Sequence, residues 1–137
     1  MADKPIYLLD SFALLAYLND EPGRAQVQEV LQAAKSQNCR VLMSLINLGE
    51  VLYITERKRG LPAAQIVQAL VENLPLEIQE VSRDLILDAA HIKAHYLISY
   101  ADAFVVASAI RENAIVLTGD PEFQTVKDLV KVEWLVR

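Results

Sequence analysis

Ser99 to Asn113 reads SYADAFVVASAIREN, and this stretch decides what kind of fold the chain adopts. It holds neither Gly nor Pro and is rich in Ala, which predicts a helix. On a helical wheel Phe104, Val105, Val106, Ala107, Ala109 and Ile110 cover almost the whole circumference. A helix that is apolar all round belongs inside a core rather than on a surface. Asp102 sits at its mouth, where a buried acid needs something to balance its charge.

Working outward, Ile115 to Thr118 (IVLT) predicts a strand that runs into Gly119 and Asp120. Pro121 opens a short helical turn, and Val132 to Val136 closes the chain as a strand. Upstream, Ser82 starts a helix that runs to about His95, and Leu76 to Val81 alternates as LEIQEV, a strand signature. Leu61 and Pro62 open a helix to about Asn73, ended by Pro75. Leu45 to Arg59 is a longer helix, stopped by Gly60 just past its end. Arg40 to Ser44 (RVLMS) reads as a strand, Pro22 to Lys35 as an amphipathic helix and Ser11 to Leu18 as a short one. Ile6 to Leu9 is a buried-strand run that ends at Asp10. Strands alternating with helices predict an α/β fold, a mostly parallel sheet covered by helices on both faces. We expect one domain over residues 1–137.

Composition narrows the function. The formal net charge of −5 argues against a general nucleic-acid binder that works by neutralising phosphates. It leaves room for an enzyme that holds phosphates through a metal ion. No apolar run approaches the roughly 20 residues of a membrane span, and the start, MADKPIYLLD, lacks a signal-peptide core. The single cysteine, Cys39, has no internal disulfide partner and reads as core filling. We expect a cytoplasmic protein without membrane contact.

Ligands of such sheets bind beyond the carboxyl ends of the strands. Asp10 follows IYLL, Asp120 follows IVLTG, Glu50 lies within two turns of the end of RVLMS, and Asp102 opens the apolar helix. Four acids from four parts of the chain can therefore meet on one rim. Each also has a purely structural reading. Asp10 and Asp120 suit helix caps, Ser99-x-x-Asp102 is a capping-box pattern, and Glu50 could pair with Arg57 two turns on. Together, however, four carboxylates repel unless some are protonated or a cation sits among them. Mg²⁺ and Mn²⁺ prefer hard oxygen ligands, so the constellation points to metal-assisted phosphodiester hydrolysis. His91 and His95 share a helix face but lack an evident third metal ligand.

DSFALLAYLNDEPG from Asp10, SLINLGEVLYITERK around Glu50, ISYADAFVVASAIREN around Asp102 and IVLTGDPEF around Asp120 resemble the PIN-domain ribonucleases. Within them the sequence is most similar to VapC-type toxins of prokaryotic toxin–antitoxin pairs. The likeness spans nearly the whole chain, with four motifs in order. It implies a three-layer α/β/α fold, Mg²⁺- or Mn²⁺-dependent endoribonuclease activity, a cognate antitoxin and a homodimer. By analogy Asp10 and Asp102 are the main metal ligands, Asp120 assists, and Glu50 holds or helps activate water. Two positions depart from the pattern. Phe12 stands where the family often has a small polar residue, and Glu122 replaces a frequent Asp.

With a negative total charge, substrate grip must come from local cations. Arg57, Lys58 and Arg59 follow Glu50 on the same helix and suit flanking phosphates, or equally the helix dipole. Phe12, Leu15 and Tyr17 on the first helix are candidates for an antitoxin surface or for the core. Three other functions stay open at this level: a housekeeping PIN nuclease of RNA maturation, a phosphoacceptor receiver-type domain, and an inactive binding protein.

Overall fold

The computed structural model describes residues 4–136; residues 1–3, the start of the stretch read above for a signal peptide, and residue 137 lie outside them. Five strands form one sheet: β1 (Ile6–Leu9), β2 (Arg40–Ser44), β3 (Glu77–Gln79), β4 (Ile115–Thr118) and β5 (Val132–Trp134). Their order is β3-β2-β1-β4-β5, and every pairing is parallel. The helices are α1 (Ser11–Leu18), α2 (Arg24–Lys35), α3 (Leu45–Arg59), α4 (Leu61–Glu72), α5 (Arg83–His95) and α6 (Tyr100–Glu112), with a 3₁₀ turn over Pro121–Val126. The order excludes the receiver-type alternative, whose doubly wound sheet runs 2-1-3-4-5.

Alternation along the buried strands splits the core into two layers. Leu8, Leu42 and Val116 point toward α5, α6 and the 3₁₀ turn, where they pack with Ala89, Phe104, Val105 and Phe123. Their neighbours Leu9, Val41, Met43 and Leu117 point to the other side, against Leu14, Val27, Leu31, Val51 and Val67. The result is the expected three-layer α/β/α arrangement. Residues Asp102 to Ala109 of α6 are all buried, as its sequence requires. Ile110 is the exception at 51% exposed. One residue later Arg111 reaches out to Asp88 on α5 with Nη2 to Oδ2 at 2.8 Å, so the helix has left the core by its last turn. Cys39 is buried, as expected of a packing residue.

Three element boundaries move from their expected places for visible reasons. β3 has three residues rather than six, because its partner β2 stops at Ser44, whose hydroxyl turns to cap α3 by accepting from the Ile46 N–H. β5 ends at Trp134 rather than Val136, since the Val136 N–H donates to the Gln26 side chain of α2 instead of to a strand. α2 begins at Arg24 rather than Pro22 because Gly23 takes the left-handed conformation, φ +98°, beneath Leu135. Among the described residues no helix is long and apolar enough to cross a membrane.

Candidate metal centre

The sheet order places the change of direction between β1 and β4, the crevice where open α/β sheets hold ligands. Asp10 leaves the end of β1, and Asp120 stands two residues past β4. Asp102 enters from the first turn of α6, which packs beneath these strands. One carboxylate oxygen from each of Asp10, Asp102 and Asp120 lies within 4.8 Å of the others. Asp10 is 1% and Asp102 4% exposed, so two of the three are cut off from water.

The capping and clustering roles coexist. Asp10 Oδ1 caps α1 by accepting from the Ala13 N–H at 2.9 Å, while Oδ2 accepts from the Thr118 hydroxyl. Asp120 Oδ1 accepts from the Glu122 N–H at 2.9 Å. At α6 the cap is Ser99, which accepts from the Asp102 N–H at 3.2 Å, and the Asp102 carboxyl turns to the other acids. Burial pushes Asp10 up to about 7; the Thr118 and Ala13 hydrogen bonds oppose this, and the charges of Asp120 and Glu50 add to it. Asp102 is pushed up to about 9 by burial, by hydrogen bonding with Glu122, and by the charges of Asp10 and Asp120. Glu122, the departure in the sequence, thus still reaches the cluster.

Glu50 falls outside the trio of mutually close oxygens but near enough for its charge to act on Asp10. It is half-buried on α3, its Oε1 is buried without a hydrogen-bond partner, and among the described residues no ion pair joins it to Arg57. Arg57, Lys58 and Arg59 are exposed in the last turn of α3, with the Arg57 guanidinium 5.1 Å above the Tyr53 ring. His91 and His95 are exposed, with their rings 4.5 Å apart and tilted, and neither belongs to the acidic group. Phe12, Leu15 and Tyr17 are partly buried against the core, whereas the exposed apolar side chains lie elsewhere. They include Tyr53, Leu61, Ile66 and Leu70 on α3 and α4, and Leu87 and Leu97 near α5.

A family model for the PIN domain matches residues 7–129, which takes in Asp10, Glu50, Asp102 and Asp120. The chain belongs to the PIN-domain family. No curated protein sequence matches it. Solved PIN-fold neighbours include VapBC2 of Rickettsia felis bound to promoter DNA, with a TM-score of 0.76 at 22% identity over 95% of this chain and 98% of that one. DNA-bound VapBC of Salmonella typhimurium gives a TM-score of 0.76 at 18% identity, covering 94% of this chain and 97% of its own. VapC20 of Mycobacterium tuberculosis, a toxin that cleaves the sarcin–ricin loop, gives 0.72 at 22% identity over 92% and 98%. At these identities the neighbours show a shared fold.

Two residues of this PIN domain escape a sequence reading centred on acids. Thr118 is fully buried; its hydroxyl donates to Asp10 Oδ2 and accepts from the Asp120 N–H at 2.9 Å. It therefore couples two of the acids. Its signal is a hydroxyl residue as the last member of an otherwise aliphatic strand. Asn47, also fully buried, donates from Nδ2 to the Ala101 carbonyl at 3.2 Å and fastens α3 to the turn that carries Asp102. It is the lone amide in the apolar opening of α3.

Thr118→Val is expected to strand the Asp10 oxygen and the Asp120 N–H, lowering stability by about 2 kcal/mol. Affinity for Mn²⁺ should fall by about ten- to a hundredfold, the usual effect of losing a group that orients a ligand. Thermal denaturation and calorimetric titration read the two effects, and Thr118→Ser should restore both. Gly119 has a different role. A Cβ placed there would stand 2.4 Å from Phe12 Cε1, so space rather than backbone torsion demands glycine. Gly119→Ala is expected to cost about 1–3 kcal/mol by overpacking. Phe12→Ser in the same chain should recover most of that loss in a denaturant melt.

Proposed function

We propose that this PIN domain is a Mg²⁺- or Mn²⁺-dependent endoribonuclease and the toxin of a VapBC-type toxin–antitoxin pair. The observation that carries the reading is the convergence of three carboxylate oxygens within 4.8 Å, two of them from buried side chains. All are hard oxygen donors, and among the described residues no ion pair joins any of the three to a cationic side chain. That donor chemistry fits Mg²⁺ or Mn²⁺. Asp10, Asp102 and Asp120 would hold the ion. Bound there, a divalent cation polarises a phosphoryl oxygen and lowers the pKa of water.

The chain's own groups account for the remaining work. Thr118 keeps Asp10 aimed at the crevice, while Asn47 fixes the first turn of α6. Glu50, with a buried unpartnered oxygen, accepts the proton of the attacking water. Arg57, Lys58 and Arg59 hold phosphates on either side of the cut. Arg57→Ala should leave Mn²⁺ affinity unchanged and lower the slope of log RNA affinity against log salt by about one. An unchanged slope, measured by fluorescence anisotropy, would remove Arg57 from the substrate path.

The toxin assignment draws on the VapC and VapBC neighbours. Exposed apolar residues supply surface for an antitoxin and for a second copy of the chain. Examples are Ile66 at 61% on α4 and Leu97 at 87% beside α6. The test is cleavage of mixed transfer and ribosomal RNA by purified protein with EDTA, Mg²⁺ or Mn²⁺, and Asp102→Asn as the control for contamination. Cleavage by wild type alone, and with metal alone, is the expected result. Equal cleavage by both proteins, or none with any metal, would overturn the nuclease reading.

A further inference from the structure

We infer that the cleft between α1 and α3 is a nucleobase subsite, in which Phe12 stacks against the base beside the scissile phosphate; the inference rests on the nuclease reading above. The cleft encloses about 350 Å³ and is lined by Phe12, Leu15, Ala16, Glu21, Pro22 and Lys58. Through Phe12 it borders the loop between β4 and Asp120. The Phe12 ring lies so close over Gly119 that a Cβ there would meet Cε1, Cζ and Cδ1 at 2.4, 2.8 and 3.1 Å. Gly119 is the residue between Thr118, which holds Asp10, and Asp120. A polynucleotide with one phosphate at the acids can therefore bring a neighbouring nucleotide to Phe12.

The walls of the cleft match a base better than an apolar side chain. Phe12, Leu15, Ala16 and Pro22 offer an apolar floor, while Lys58 brings a donor and Glu21 an acceptor to the exposed rim. No ion pair among the described residues joins those two. A nucleobase has two apolar faces for stacking and an edge that carries both donors and acceptors. An aliphatic side chain would use the floor and leave the rim unanswered. Charge agrees as well: in a chain of net charge −5, Lys58 sits within the cationic run Arg57 to Arg59.

A double-mutant cycle between protein and RNA tests the inference. The probe is a fluorescein-labelled mixed-sequence decaribonucleotide, together with versions carrying one abasic residue at each position. Binding is followed by anisotropy with Mg²⁺ in the Glu50→Gln background, which keeps the three metal ligands and removes the group that takes the proton. One abasic position is expected to weaken binding about tenfold, the scale of one base stacked on an aromatic ring. Phe12→Leu should lose that penalty, and Phe12→Tyr should keep it. Should Phe12→Leu not fold, Lys58→Ala, at an exposed position, is expected to shrink the same penalty. Penalties unchanged by every variant, with intact RNA still bound, would overturn the subsite alone and leave the cleft to an apolar side chain of a partner protein. A parent that binds none of the RNAs would overturn the nuclease reading and the subsite together.

Discussion

Asp102→Asn is expected to lower RNA cleavage by about a hundred- to a thousandfold, the scale on which removing one preorganised charge-stabilising group acts. The fold should be untouched. Asp102 is 4% exposed, and its carboxyl is pushed up to about 9, so without a cation it is mostly protonated at neutral pH. Asn reproduces that neutral form in size and polarity. The melting temperature in EDTA should therefore stay within about 2 °C of wild type, since a near-isosteric exchange without a new buried charge changes little. The difference emerges with Mn²⁺, which should stabilise wild type and leave the variant unmoved. Initial cleavage rates and melts with and without Mn²⁺ measure both halves. Full activity in the variant would reduce Asp102 to a structural residue in the opening turn of α6.

The second large effect is a stability that falls with rising pH when no metal is present. Asp10 and Asp102 ordinarily titrate near 3.8, and in the fold they are raised to about 7 and about 9, first by burial. Between those values the folded chain holds protons that the unfolded chain has released. Below pH 4 both states are protonated and the difference vanishes; as pH climbs toward 9, folding must forgo those protons or confine the charges together. Stability in EDTA therefore declines across that window. A melting temperature lower by on the order of 5–10 °C at pH 8.5 than at pH 5.5 is expected. Mn²⁺ or Mg²⁺ favours the ionised carboxylates, so its stabilising effect should be larger at pH 8.5. Asp102→Asn should flatten the EDTA profile. A wild-type melting temperature independent of both pH and metal would show that the acids are not confined together.

Much of this was legible in the chain because it rests on local rules. The burial of α6 follows from Val105, Val106, Ala107 and Ala109 facing every direction, and the alternation of Leu8 with Leu9 on β1 divides the two core layers. The acids were legible by position, since Asp10 directly follows β1 and Asp120 stands two residues past β4. The lengths of β3 and β5 were not, because a strand ends where its neighbour stops offering backbone. Ser44 is the last residue of its ladder because its hydroxyl caps α3, and nothing inside LEIQEV reports that stop.

The sequence by itself determined an α/β sheet, one helix buried all round, and a set of acids at strand ends without a matching cation. These follow from hydrophobic period and chain order, which are properties of neighbours along the chain. Only the tertiary structure decided which acids meet. It brought Asp10, Asp102 and Asp120 within 4.8 Å and kept Glu50 outside that trio. It also set Thr118 between two of the acids and laid Phe12 over Gly119. Thr118 is 108 residues from Asp10, and Phe12 is almost as remote from Gly119 along the chain. Their contact depends on β1 and β4 lying side by side, a pairing of segments separated by most of the chain.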